Sequence, residues 1–227
     1  MPIMKRVVCL ANSRKMSGRC IAGREWTDGR AGDWIRPVSE RDNQEVSEEE
    51  RRYENGGDPR VLDVIDIPLL EWQPQDHQTE NWLLDPKYYW VKVGTFPIPH
   101  VARLEDVPRV PLWLDGHSTH HGENDRVPLD DVRPLDDSLK LIQVSDFALR
   151  VGRDDPQYPR RRVRGRFALG GTPYRLVVTD PVWERRYLAQ PDGRYQIGEC
   201  HLTISLGEPY MGACYKLIAA IIPPKGR

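Results

Sequence analysis

The chain has 227 residues, and its 33 Lys and Arg against 34 Asp and Glu leave a formal net charge of −1. That balance excludes a uniformly basic nucleic-acid binder while leaving room for a local basic groove. The 20 prolines, well above the usual ~5% of residues, nearly exclude a bundle of long helices, because proline inside a helix removes a hydrogen bond and clashes with the preceding turn.

In chain order, residues 5–10 (KRVVCL) have the β-branched, apolar character of a strand. A polar turn is expected at Ala11, Asn12, Ser13, Arg14 and Lys15. Residues 18–26 read as a second strand with Gly23 at a bulge or bend, and residues 32–39 as a third. A short helix is expected after Ser47, which can cap it, with Glu48, Glu49 and Glu50 at the positive end of its dipole. Residues 61–70 and 88–93 complete about five strands. The proline-rich stretch 97–134 reads as connecting chain. Strand patterns resume at 139–151, 162–169, 174–179, 201–206 and 215–222.

The expected fold is therefore mainly β, with short strands: two small β-barrels of the oligonucleotide-binding (OB) type and a few short helices. A sandwich is the alternative that pattern alone leaves open. The expected division is an N-terminal barrel over 1–105, a connecting segment over 106–136 and a C-terminal barrel over 137–227. The longest apolar run, residues 217–222, is far too short to span a membrane. No secretory leader is visible. Four cysteines without a CxxC pair fit free thiols in a reducing, cytoplasmic compartment.

The basic residues are 26 Arg and 7 Lys. Arginine offers a planar fork that pairs bidentately with phosphate and stacks on flat rings. Seven arginines fall within 150–166 against Asp154 and Asp155, whereas 40–58 holds eight acids against three arginines. In a strand, Arg162, Arg164 and Arg166 share one face. Asn12, Ser13, Arg14 and Lys15 could hold an anion in a turn. Trp34 and Arg36, two apart on a strand, could stack a base and hold a phosphate, or fill and cover a barrel core. Lys216 stands with Asp180, Glu184 and Glu208 as the nearest approach to a catalytic set, but the spacing matches no nuclease template. His117, His120 and His121 match no closed zinc motif. No phosphate-loop, dinucleotide or hydrolase motif is present, so no catalytic residue, metal or cofactor is expected.

The strings CLANSRKMSGRCIAG (residues 9–23), WIRPVS (34–39), GENDRV (122–127), VTDP (178–181) and SLGEP followed by CYKLIAAII (205–222) together resemble the prokaryotic dual OB-containing domain family. The resemblance spans about residues 5 to 222. It implies two OB-like barrels and, by analogy with other OB folds, a nucleic-acid or nucleotide ligand. The expected function is a binding module, single-stranded nucleic acid favoured, through Asn12, Ser13, Arg14, Lys15, Trp34, Arg36, Arg162, Arg164, Arg166 and Lys216. The alternative is a protein–protein adaptor in a prokaryotic nucleic-acid-processing or defence assembly.

Overall fold

The computed structural model describes residues 2–106, 111–154 and 160–224. Among these, twelve strands form two six-stranded sheets, one in each of two compact units, Met1–Leu104 and Glu105–Arg227.

The first unit contains β1 (Ile3–Lys15), β2 (Gly18–Thr27), β3 (Arg30–Val38), α1 (Glu48–Arg51), β4 (Asp63–Trp72), β5 (Asn81–Leu84) and β6 (Val91–Thr95). The order β1-β2-β3-β5-β4 closes into a ring because β4 pairs back onto β1, and β6 adds outside β4. The pairing of β3 with β5 is parallel. Alternate residues Val7 and Cys9 of β1, and Ile65, Ile67 and Leu69 of β4, meet Ile21, Ile35, Leu84 and Trp90 in the barrel core. Gly23 lies opposite Cys9, beside a register shift in β1. A Cβ there would stand 2.0 Å from the Val8 carbonyl oxygen, so only glycine lets the strands close. Ser47 and Glu50 form the reciprocal capping box that starts α1.

The second unit contains β7 (Arg126–Pro128), α2 (Leu129–Val132), β8 (Leu139–Arg153), β9 (Arg161–Leu169), β10 (Thr172–Val178), α3 (Pro181–Leu188), β11 (Gly193–Tyr210) and β12 (Ala213–Ile222). Here β8-β9-β10-β12-β11 repeats the first ring: β11 pairs with β8, and β10 runs parallel to β12. Both units are therefore five-stranded OB-like barrels carrying one extra strand. Phe147, Leu149, Val163, Phe167, Tyr174, Leu176 and Ile218 fill the second core. Residues 111–136, read as connecting chain, pack into this unit: Leu112 joins its core and β7 pairs with β12. Of the expected connecting segment 106–136, residues 107–110 lie outside the described residues.

Several local expectations change. Proline does not keep the strands short: β1 has 13 residues, β8 has 15 and β11 has 18. Bulges accommodate the bending, as where β11 shifts register between Leu206 and Pro209. Asn12 to Lys15 are not a turn. They continue β1, and the chain reverses at Met16, which takes a positive φ of 47°. Asp180, weighed above as a catalytic carboxylate, caps the N-terminus of α3, and Pro181 stands in its first turn. No helix among the described residues is long and apolar enough to cross a membrane. All four cysteines are free.

Candidate functional site

A cluster of arginines lies on the outer face of the second barrel. In β9, Val163, Phe167 and Leu169 are core residues and Gly165 faces inward with them. Gly165 has no alternative, because a Cβ there would approach Ile218 Cδ1 to 2.3 Å and the Phe147 ring to 2.5 Å. The intervening Arg162, Arg164 and Arg166 thus share the outer face, as their spacing predicts. Antiparallel register then adds arginines from the neighbouring strands. Arg164 lies opposite Arg150 of β8, and Arg150 lies opposite Arg194 of β11. Arg166 lies opposite Arg175 of β10 and, on its other side, Ala148 of β8. Arg150, Arg164, Arg166, Arg175 and Arg194 surround a cavity of about 170 Å³ with Ala148 and Leu149.

Two carboxylates offset part of this charge. Asp154 accepts from Arg164 Nε at 3.0 Å and Nη2 at 2.8 Å, with Arg162 Nε at 3.6 Å. Burial pushes the Asp154 carboxyl up, but hydrogen bonding and charge from Arg164, with Arg162 beyond it, outweigh that and hold it below its ordinary value. Glu123 lies 3.6 Å from Arg175 Nη2, and the two residues exchange backbone hydrogen bonds. Arg150, Arg166 and Arg194 are exposed and have no carboxylate within 4.0 Å among the described residues. The Nη1 group of Arg164 is buried with no hydrogen-bond partner among them. Asp155 lies outside the described residues. Like charges directly opposite on a sheet are destabilising, so this arrangement costs stability and suits an anion that neutralises it.

The other sequence-selected residues are placed differently. Asn12 Nδ2 donates to the Pro59 carbonyl at 2.6 Å, and buried Ser13 donates to the Cys20 carbonyl at 3.4 Å. Only Arg14, exposed, and Lys15, half-buried, project at the end of the β1–β2 hairpin. Trp34 is buried, with the Arg24 guanidinium 5.8 Å from its ring centre. Arg36 is 2% exposed and forms a 2.7 Å ion pair with buried Glu80. Lys216 is wholly buried. Its Nζ donates to the Leu114 carbonyl, lies 3.5 Å from Asp115 Oδ1 and stands 5.2 Å from the Tyr174 ring centre. Tyr174 donates to the same Asp115 oxygen at 2.7 Å. Burial pushes the Lys216 ammonium down to about 8, against the opposing pull of Asp115. These contacts tie residues 112–115 to the barrel. Asp180 spends its carboxylate on backbone N–H groups of Val182, Trp183 and Ile221.

The structure thus brings together Arg162, Arg164 and Arg166, while Asn12, Ser13, Arg14, Lys15, Trp34 and Arg36 belong to the first unit. Sequence reasoning passed over Arg175 and Arg194, because cross-strand register places them and no sequence spacing does. It also passed over Tyr210 and Met211, 65% and 81% exposed beside the β11–β12 reversal. An aromatic and a methionine next to a glycine, Gly212, were the available signal. The Tyr210 and Tyr215 ring centres are 6.2 Å apart.

The family model for a dual OB-containing domain matches residues 5–221. A solved structure of a murine DNA-binding protein bound to double-stranded DNA aligns over 98% of this chain and 99% of that one. The two are 10% identical with a TM-score of 0.35, a likeness too low to carry residues across. No curated protein matches the chain.

Proposed function

The chain belongs to the dual OB-containing domain family, and we propose that it binds nucleic acid, single strands in preference, through the arginine face of β8, β9, β10 and β11. The carrying observation is the cluster itself: exposed Arg150, Arg166 and Arg194 without acid partners among the described residues, around a hollow that Arg164 and Arg175 complete. OB barrels use the face of their second and third strands for oligonucleotides, and β9 and β10 hold those places in this ring. The β11–β12 hairpin corresponds to the loop between the fourth and fifth strands, and its exposed Tyr210 offers a ring on which an unpaired base can stack. Trp34, Arg36 and Lys216 serve their own barrels.

Fluorescence anisotropy with labelled single-stranded DNA, single-stranded RNA and duplex tests this. Neutralising about three phosphates on a single strand gives a salt slope near −2, so affinity falls about 20-fold between ~50 and ~200 mM salt. Absence of binding to every strand at low salt would overturn the reading. A second reading, protein docking, is favoured by one separate observation. The outer strand β6 exposes Val91 and Val93, with Tyr88 and Tyr89 exposed just before it. A pull-down that returns this chain alone would count against it.

A further inference from the structure

The arginine face is focal rather than linear. In the row Arg194–Arg150–Arg164, three guanidinium-bearing residues stand directly opposite one another across β11, β8 and β9. In the adjoining row, Ala148 stands between Gln196 and Arg166, and Arg175 follows Arg166. The short side chain of Ala148 leaves open the hollow that five arginines surround. The hollow, about 170 Å³, holds one phosphoryl group with its immediate substituent, not a run of nucleotides.

Charge selects among phosphates. Three of the five arginines have no carboxylate partner among the described residues, and Arg164, sharing Asp154, keeps a buried, unpartnered Nη1. An internal phosphodiester brings one negative charge, whereas a terminal monoester brings about −1.5 to −2 and three strong acceptor oxygens. Several forked donors around one hollow match the richer acceptor. Among the described residues no aromatic side chain lines the hollow, so stacking on a base is not what it offers. We propose, resting on the nucleic-acid reading above, that this hollow recognises the terminal phosphate monoester of a strand, independently of base sequence.

The test uses the full chain and one oligonucleotide sequence in three forms: 5′-phosphorylated, 3′-phosphorylated and hydroxyl at both ends, with the fluorophore attached internally. A nucleoside monophosphate serves as a separate ligand. The expected result is binding of at least one phosphorylated form about 10-fold tighter than the hydroxyl form, the size of one good charge-assisted contact. Ala148→Leu, which fills the hollow without removing an arginine, should abolish that preference, so that phosphorylated and hydroxyl-ended forms bind alike. Arg194→Lys, which keeps the charge but not the fork, should reduce the preference while preserving the salt slope. Circular dichroism checks that both variants are folded. Equal affinity for all three forms would overturn the terminal-phosphate inference and leave nucleic-acid binding standing. Failure of every form to bind would overturn both. A monophosphate that binds as tightly as the phosphorylated strand, with no hydroxyl-ended binding, would identify a free nucleotide and overturn recognition of a strand end.

Discussion

Arg36 in the first barrel and Arg166 in the second are both strand arginines that a sequence reader would nominate as phosphate ligands. They end in opposite situations. Arg36 is 2% exposed and its charge is matched by Glu80 at 2.7 Å. Arg166 is exposed and faces Arg175 across the sheet instead of an acid. A buried arginine is costly unless it is paired and hydrogen-bonded. An exposed arginine beside others is a cost to the fold that a bound anion removes. The difference separates arginines that hold the barrel from arginines available to a ligand, and substitution can probe each side of it.

The largest effect belongs to the buried pair. Glu80→Gln removes the carboxylate charge and leaves Arg36 charged and desolvated. Breaking one side of a buried pair costs about 3–5 kcal/mol, which urea unfolding would read as a lower midpoint. Nucleic-acid affinity of the folded fraction should not change. If affinity fell instead while stability held, the division between the two arginines would be wrong.

Lys216 extends the contrast to a cation buried without full compensation. Its folded pKa of about 8 lies below the ordinary 10.5. Below pH 8 both folded and unfolded chains hold the proton, so the penalty of burying the charge is constant. Between pH 8 and 10 the folded state sheds the proton while the unfolded state keeps it, so this lysine's contribution to stability rises with pH. Lys216→Met lacks that dependence. Relative to the variant, the parent should gain about 2 kcal/mol from pH 8 to 10. Taking the difference removes the opposing effects of Tyr174 and Cys200, whose groups are pushed up by burial. A constant difference across that range would show that Asp115 and the Leu114 carbonyl compensate the buried ammonium in full.

What the sequence made legible follows from the range over which each signal acts. Alternation within β9 placed Arg162, Arg164 and Arg166 on one face, because a strand's period of two is local. The capping box at Ser47 and Glu50 was half legible for the same reason: the cap was foreseen, its reciprocal bond was not. Strand length was not legible, because bulged barrel strands carry proline inside them, as at Pro68 and Pro209. Arg175 and Arg194 were invisible as site residues because they reach the face through pairing with β9 and β8, not through spacing. The sequence left Arg36 open between ligand and core because its partner Glu80 lies 44 positions along the chain, brought near by the parallel β3–β5 pairing.

On the exposed side, Arg166→Ala tests availability directly. The residue lies outside the core, so unfolding midpoints should stay level or rise slightly as Arg175 loses a like charge opposite it. Affinity for single strands should fall about fivefold, uniformly across sequences, with the salt slope shallower by about 0.7. A sequence-dependent loss would mean that Arg166 reads bases.

The smallest effect, and the most discriminating, is expected at Asp154. Its carboxylate occupies the fork of Arg164 as a phosphate would, and it also faces Arg162. Asp154→Asn withdraws one negative charge from the face and weakens that hold, so affinity for single strands should rise about threefold, less than a full charge-assisted bond because the site stays partly solvated. Stability should move the other way. The folded pKa of Asp154 is depressed, so its contribution is present above the unfolded carboxylate value and is lost as pH falls through the folded one. The parent's stability advantage over the variant should therefore vanish in acid and persist at neutral pH. If Asp154→Asn instead weakened binding in step with stability, the carboxylate would be orienting Arg164 for its ligand rather than competing with it. Arg164 would then belong with Arg36 among the arginines that an acid must hold in place.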